Sequence, residues 1–167
     1  MKLDISDLLK KETARREIHL ELNEESYFDG RETIKFLQPI KFNGILDKVG
    51  DVINLTGTVN TLLELTCSRC IEKFSYAVEL NVEEKFTNHD GVNKDDDVIF
   101  IDSDTIDITE IIENNIIVTL PIKRLCKEDC KGLCQQCGTN LNFSACNCTK
   151  DNIDPRLAKL KDMFLTD

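Results

Sequence analysis

Two long runs of alternating apolar residues constrain the fold of this chain more than any other feature. The first run extends from Asp51 to Thr66 and the second from Phe74 to Val82. Alternation with a period of two places the apolar side chains on one face of a β-strand. Because only a short connection separates the runs, they predict a long antiparallel hairpin over residues 51–85. A cysteine pair, Cys67 and Cys70, falls near the tip of this hairpin.

The sequence also predicts one well-defined helix, over residues 107–120. Asp107 and Glu110 have the spacing of a capping box, and Pro121 marks the end of the helix. An apolar stripe at helical spacing gives it one face to bury. The stripe consists of Ile108, Ile111, Ile112, Ile116 and Leu120.

The predicted fold class is therefore α+β, an antiparallel, curled β-sheet with a packed helix and a small C-terminal cysteine-rich zinc module. We expect residues 1–122 to form the body and residues 123–167 to form the module together with a C-terminal helix. Weaker patterns predict further elements: a helix at 4–12, strands at 16–22, within 31–46 and at 98–101, and the C-terminal helix from Asp154 to about Phe164.

The chain contains eight cysteines, and six of them lie within 23 residues. They are Cys67, Cys70, Cys126, Cys130, Cys134, Cys137, Cys146 and Cys148. The N-terminal residues lack the apolar stretch of a signal peptide, and no apolar run is long enough to predict a membrane span, so we expect a cytoplasmic protein. Thiols stay reduced in the cytoplasm, where clustered cysteines indicate metal ligation. Zinc is the expected ion because it binds four thiolates in a tetrahedron.

The spacing leaves three ligand arrangements open. The preferred one places a single zinc on the four cysteines from Cys134 to Cys148. A second arrangement adds another ion on Cys67, Cys70, Cys126 and Cys130. A third recruits Cys126 or Cys130 to the first ion and leaves two cysteines free. For Cys67 and Cys70, an unligated reduced pair is nearly as plausible as ligation.

Nothing in the sequence indicates a catalytic centre. A catalytic zinc usually has an open position and a histidine or carboxylate among its ligands. The chain has two histidines, His19 and His89, and neither lies at ligand spacing from a cysteine. We find no nucleotide-binding glycine loop and no triad arrangement. We therefore expect a structural zinc, no small-molecule substrate and no enzymatic activity.

Charge is distributed unevenly along the chain. The formal net charge is -10, and residues 79–113 alone hold 12 acids and two bases, so the remainder is balanced. An acidic balance argues against a broad nucleic-acid-binding surface, although a local basic site is compatible with it. Basic residues cluster at the start of the module, at Lys123, Arg124, Lys127 and Lys131, as on a small surface that docks RNA or protein. From the sequence alone, charge balance around an anionic metal centre is somewhat favoured as the explanation of these bases.

Four motifs in order resemble the YceD family of large ribosomal RNA subunit accumulation proteins. They are Cys67-x-Arg69-Cys70, Leu120-Pro121-Ile122, the run from Cys130 through Cys134-x2-Cys137-Gly138 to Asn142, and Asp154-Pro155-Arg156-Leu157-Ala158-x-Leu160. The resemblance implies a non-enzymatic factor in the synthesis, processing or accumulation of large-subunit rRNA. Its partners would be the rRNA precursor or ribosome-assembly proteins. The residues that would contact RNA or a partner are Arg69, Lys73, Lys123, Arg124 and Lys127. The alternative is a thiol-based redox or metal sensor that releases zinc when its cysteines are oxidised.

Overall fold

The structure is a computed structural model that describes residues 1–88 and 98–148. Within these ranges it contains nine strands and two helices. The strands are β1 (Lys2–Asp4), β2 (Thr13–Leu22), β3 (Ser26–Phe28), β4 (Thr33–Phe36), β5 (Ile40–Val49), β6 (Val52–Thr66), β7 (Lys73–Thr87), β8 (Val98–Phe100) and β9 (Thr105–Asp107). The helices are α1 (Ser6–Leu9) and α2 (Ile108–Thr119).

The hairpin of β6 and β7 is the longest unit of the sheet. All 15 residues of β6 pair antiparallel with β7, from Val52 opposite Thr87 to Thr66 opposite Lys73. Residues 53, 55, 59, 61, 63 and 65 of β6 are buried, as the alternation predicts. The other edge of β6 is shared, because β5 pairs with its first half and β4 with residues near its end. β4 and β5 therefore both pair with the hairpin, and the tip of the hairpin extends beyond the paired strands.

The remaining strands extend this sheet to seven members. β2 pairs with β5, β3 pairs with β4, and β8 pairs in parallel with β7, whereas all other pairings in the sheet are antiparallel. β1 and β9 form a separate two-stranded sheet. The α+β class is confirmed by this mostly antiparallel sheet with its helix. The pairings do not establish a strong curl, which stays a prediction, as does the division at residue 122.

A pair of facing glycines lies in the middle of the sheet. Gly44 of β5 is directly opposite Gly57 of β6, and the fully buried ring of Phe42 covers both. A Cβ added to Gly44 or to Gly57 would lie 2.6 or 2.7 Å from the Phe42 ring. Both positions need glycine because the aromatic ring occupies the space of a side chain.

Helix α2 covers the core side of the hairpin and begins at a side-chain cap. The Asp107 carboxylate accepts hydrogen bonds from the backbone N–H groups of Thr109 and Glu110. Ile108, Ile112 and Ile116 are fully buried, whereas Ile111 is half-buried. The predicted stripe is thus the packed face of the helix. Neither described helix is long and apolar enough to cross a membrane.

Several shorter predictions differ from the structure in their extent. The N-terminal helix predicted over residues 4–12 is a single turn, α1, because strands β1 and β2 occupy both flanks of that range. β2 begins three residues earlier than predicted, and β8 ends one residue earlier. The predicted C-terminal helix from Asp154, and the acidic run at 95–97, lie outside the described residues.

Candidate metal centre

All eight cysteines gather into two groups of four. The inner cluster consists of Cys67, Cys70, Cys126 and Cys130, and the outer cluster of Cys134, Cys137, Cys146 and Cys148. Within each cluster the four sulfur atoms lie within 4.8 Å of one another. This grouping matches the first and second arrangements drawn from the spacing. It does not match the third, in which Cys126 or Cys130 joins the outer set.

A tight turn at the tip of the hairpin presents the first two sulfurs of the inner cluster. The backbone N–H of Cys67 donates to the carbonyl of Glu72 at 2.9 Å, and the N–H of Ile71 donates to the carbonyl of Cys67 at 3.0 Å. Ile71 has a φ of 62°, in the left-handed region that β-branched residues rarely adopt. The turn brings Cys67 and Cys70 to the same side of the backbone, both buried.

The outer cluster begins with a turn of the same geometry. The N–H of Cys134 donates to the carbonyl of Thr139 at 2.8 Å, and the N–H of Gly138 donates to the carbonyl of Cys134 at 2.9 Å. Gly138 has a φ of 71°, which glycine adopts without a steric penalty. Both C-x2-C segments therefore direct two thiols towards one point by the same two backbone hydrogen bonds.

The distances between sulfurs fit a tetrahedral ion. In the inner cluster Cys67 Sγ lies 3.8 Å from Cys130 Sγ, and Cys70 Sγ lies 3.6 Å from Cys126 Sγ. Four sulfurs at about 2.3 Å from a central zinc would be about 3.8 Å apart. The spacing exceeds that of a disulfide, whose sulfurs are about 2 Å apart. The eight cysteines are free thiols, and the residues present fit the requirements of structural zinc.

The close packing of the thiols makes the pKa values of the inner cysteines differ. Burial would raise the pKa of Cys67, but backbone N–H groups of Cys126, Cys70 and Arg69 donate to its sulfur and lower the pKa to about 6. Burial and the neighbouring thiol of Cys130 raise the pKa of Cys126 to about 12. The pKa of Cys130 is also lowered and that of Cys70 is raised, because thiolates packed this closely repel one another. A bound divalent cation would offset this repulsion and favour the fully deprotonated set.

The pKa values of the outer cysteines differ in the same way. The hydroxyl and the N–H of Thr139 lower the pKa of Cys137 to about 6. The thiol of Cys137, followed by burial, raises the pKa of Cys148 to about 12. Cys137 Sγ lies 3.1 Å from Thr139 Oγ1, so the hydroxyl can donate to a thiolate.

The two clusters differ in their exposure to solvent. Three of the four inner cysteines are buried, whereas Cys137 in the outer cluster is exposed and its three partners are half-buried. An open cavity of about 660 Å³ lies beside the outer cluster, and Leu141 and Phe143 line part of it. A metal ion in the outer cluster would therefore be more accessible to chelators and oxidants than one in the inner cluster.

Backbone contacts attach the hairpin tip to the segment that carries the other two inner cysteines. The N–H of Ser68 donates to the carbonyl of Arg124 at 2.7 Å, and the N–H of Leu133 donates to the carbonyl of Arg69 at 3.1 Å. The guanidinium of Arg69 donates to the carbonyl of Cys130 at 2.9 Å. A Cβ at Gly132 would meet the Arg69 carbonyl at 3.0 Å, so glycine permits this close approach.

Arg124, one of the predicted contacts to RNA or a partner, forms two ion pairs within the chain. Its guanidinium donates to Asp29, at 2.5 Å, and to Glu32, and the arginine side chain is only 14% exposed. Two carboxylates already balance its charge in a half-buried position, so little of that charge is available to a phosphate. The sequence could not indicate these ion pairs, because Asp29 and Glu32 lie more than 90 residues away.

The other predicted contacts are at the surface. Arg69, Lys73, Lys123 and Lys127 are all exposed around the hairpin tip and the inner cluster. Lys73 forms an ion pair with Glu64 at 2.7 Å, and Lys127 lies 3.8 Å from Asp129. Exposed pairs of this kind are weak, so both lysines can exchange partners.

Sequence reasoning missed Thr139, which contacts Cys137 in the outer cluster, and it also missed Asn142. Its side-chain N–H donates to Cys130 Sγ at 3.3 Å, which makes it a hydrogen-bond donor to an inner-cluster sulfur. The only sequence signal for it was its place in the motif that follows Cys137 and Gly138.

Comparison with known proteins decides the family. The profile of the large ribosomal RNA subunit accumulation protein YceD matches residues 55–164, a range that includes both cysteine clusters. The chain belongs to the YceD family. The range matched by the YceD profile also contains the hairpin tip and helix α2.

Individual relatives agree with this assignment. YlbN of Bacillus subtilis, an uncharacterised protein, is 30% identical over 150 residues, which is 89% of this chain and 86% of YlbN. Chloroplastic proteins named large ribosomal RNA subunit accumulation protein YCED homolog 1 match from Zea mays, at 30% identity over 67% of this chain, and from Arabidopsis thaliana, at 26% over 89%. The chain spans about half the length of each plant protein. No solved structure gives a significant match.

Proposed function

We propose that this protein is a non-enzymatic cytoplasmic factor that supports the synthesis, processing or accumulation of large-subunit rRNA. Membership of the YceD family supports the role in rRNA accumulation. The absence of a catalytic constellation from the sequence motivates the non-enzymatic part of the proposal. Its partners would be the large-subunit rRNA precursor or proteins that assemble with it.

The proposal includes two structural zinc ions, one in each cysteine cluster. The observation that supports it best is the convergence of four inner thiols from two distant parts of the chain at tetrahedral spacing. Zinc bound there would cross-link the hairpin tip to the segment that carries Cys126 and Cys130. The outer ion would stabilise the loop between Cys134 and Cys148. Native mass spectrometry under reducing conditions should find two zinc ions per chain, and a protein without metal would refute this part.

We place the partner-binding surface around the inner cluster. Arg69, Lys73, Lys123 and Lys127 are exposed there. Because the zinc cross-link would hold the hairpin tip against the module, it would fix the relative positions of Lys73 and Lys123. The charge of Arg124 is already matched by two carboxylates, so Arg124 is left out of this surface.

Depletion of the protein in its host tests the biological role. Large-subunit rRNA, measured against small-subunit rRNA, should fall on depletion and recover when the wild-type chain is supplied. A chain with Cys67→Ser and Cys70→Ser should fail to restore it, because the hairpin tip is no longer cross-linked. An unchanged rRNA ratio after depletion would count against the role itself.

Gel shift with precursor rRNA fragments tests direct contact with RNA. A chain with Lys123→Glu and Lys127→Glu should lose affinity, whereas a control with Lys41→Glu, an exposed lysine on β5, should bind as the wild type does. Binding through phosphates should weaken steeply with salt. If the wild type does not bind even at low salt, the partner on this surface is an assembly protein.

The exposure of Cys137 favours a second candidate function, a thiol-based sensor. Peroxide would oxidise two outer thiolates to a disulfide and be reduced to water, and the cluster would lose two zinc ligands. A sensor should release one zinc ion under mild peroxide and change its partner, then recover both on reduction. Retention of both ions under the same treatment would exclude this function.

A further inference from the structure

Residues 139–142 link the two clusters by backbone hydrogen bonds. This segment lies between the outer ligands Cys137 and Cys146 and runs beside residues 132–134. The N–H of Leu141 donates to the carbonyl of Gly132 at 2.9 Å, and Leu133 forms a β-bridge with Asn140. The segment that the outer cluster encloses is therefore in contact with the residues that immediately follow the inner ligand Cys130.

Asn142 extends this link to a sulfur atom. Its Nδ2 donates to Cys130 Sγ at 3.3 Å, and its Oδ1 accepts the backbone N–H of Lys131 at 2.9 Å. Because Oδ1 accepts the N–H of Lys131, the Nδ2 end of the amide faces the sulfur, and only this end can donate a hydrogen bond. The Oδ1 of Asn140 accepts both the N–H and the Nδ2 of Asn142, at 3.0 and 2.9 Å. The orientation of the amide is thus set from three directions.

A hydrogen-bond donor at this position affects how strongly the Cys130 thiolate would bind a metal ion. Hydrogen bonds to ligating sulfurs orient the ligand and spread its negative charge, and loss of such outer partners typically lowers metal affinity about 10–100-fold. The hydrogen bond from Asn142 to Cys130 Sγ is its direct contact with a sulfur atom of the inner cluster. Its geometry depends on a segment whose two ends are held by outer ligands.

We propose that Asn142 is a positioning residue that couples the two metal sites, so that zinc in the outer cluster increases the affinity of the inner cluster for zinc. This inference rests on the proposed function, since it requires both clusters to bind zinc. Outer zinc orders the segment between Cys137 and Cys146, and this ordering holds the Asn142 amide against Cys130. By linkage, inner zinc raises the affinity of the outer cluster by the same factor.

The test is a double-mutant cycle on zinc affinity. The full chain is stripped of metal under reducing conditions, and inner-site affinity is measured by competition with a chromophoric zinc chelator. Cys137→Ser disables the outer cluster, and Asn142→Ala removes the amide. Each change alone should weaken inner-site binding about 10-fold or more. Together they should weaken it no further than the stronger single change, because both remove the same interaction.

Two further variants sharpen the cycle. Asn142→Asp has the same shape and keeps the acceptor for Lys131 but cannot donate to sulfur, so it should lose at least as much affinity as Asn142→Ala. It also serves as the second variant if Asn142→Ala fails to fold. Asn60→Ala removes an amide from the exposed face of β6 and should leave zinc affinity unchanged.

The outcomes separate this inference from the proposed function. A wild-type chain that binds no zinc refutes the zinc part of the proposed function. The coupling alone is refuted if the wild type binds two zinc ions and the inner-site affinities of wild type, Cys137→Ser and Asn142→Asp agree within about twofold. Losses that add in the double variant show that the outer cluster acts by another route, and they overturn the role of Asn142.

Discussion

Ile71 and Gly138 occupy the same position in two turns that share the same hydrogen bonds. Each follows the second cysteine of a C-x2-C pair and donates its N–H to the carbonyl of the first cysteine. Their φ angles, 62° and 71°, are both left-handed. Glycine adopts this conformation freely, whereas isoleucine is strained in it. The turn at the hairpin tip therefore contains a residue whose side chain disfavours the backbone conformation that the turn requires.

Replacing Ile71 with glycine should stabilise the protein. The side chain is 67% exposed, so its removal forfeits little burial, whereas relief of the left-handed strain gains about 1 kcal/mol. For a chain of this size the midpoint of thermal unfolding should rise by about 2–4 °C. Gly138→Ala is the matched control and should lower it, because the added Cβ meets no atom within 4 Å and only the backbone conformation is penalised. A lower midpoint for Ile71→Gly would contradict the assigned strain.

Replacing Gly57 with alanine should destabilise the sheet. The new Cβ would lie 2.7 Å from both the Asn43 carbonyl and the Phe42 ring, and overpacking of this kind costs about 1–3 kcal/mol. Urea unfolding measures the difference. Thr58→Ala, at an exposed site on the same strand, should change stability by no more than about 0.5 kcal/mol. An alanine at position 57 that leaves the urea midpoint unchanged would show that the ring can move aside.

The sequence predicts local features of this molecule well and long-range ones poorly. Alternation determines the hairpin, and the cap and apolar stripe determine helix α2, because both patterns depend on near neighbours in the chain. The turn at Gly138 is equally local. The partnership of Cys67 with Cys130, 63 residues away, depends on how the folded body places the hairpin tip. The same applies to Arg124, whose two carboxylates lie near the start of β4.

Loss of an inner ligand should cost more stability than loss of an outer one. In the zinc-bound protein the inner cluster closes a loop of about 60 residues and the outer one a loop of about 15, a difference of about 1 kcal/mol in loop closure alone. Thermal unfolding in zinc buffer should therefore show a lower midpoint for Cys130→Ser than for Cys137→Ser. Excess chelator should lower the wild-type midpoint and bring the three proteins closer together. Equal midpoints in zinc buffer would argue against a cross-link through the inner cluster.

Asp29→Asn should destabilise the protein in a pH-dependent way. Burial would raise the pKa of Asp29, but the N–H groups of Glu32 and Arg31 and the guanidinium of Arg124 lower it from 3.8 to about 2. Because the pKa is lower in the folded state, the stabilisation is complete above about pH 5 and is lost as the pH falls towards 2. Breaking this buried pair should cost about 2 kcal/mol at pH 7.

Urea unfolding of wild type and Asp29→Asn across the pH range checks both the size and the direction of this effect. The gap in the free energy of unfolding should stay constant from pH 7 to about 5 and narrow below it. Glu79→Gln, an exposed carboxylate on β7, is the control and should show a small gap throughout. A gap for Asp29→Asn that persists undiminished to pH 2 would rule out the lowered pKa as its cause.

A metal ion bound by the inner cluster would be acquired late in the synthesis of the chain. During translation Cys67 and Cys70 emerge well before their partners, since Cys126 follows Cys70 by 56 residues. The thiols of Cys67 and Cys70 therefore lack their cluster partners until Cys126 and Cys130 have been made. Completion of the inner site is thus a late event in biosynthesis. A truncated product that ends before Cys126 would contain two of the four inner cysteines and could not complete the cluster.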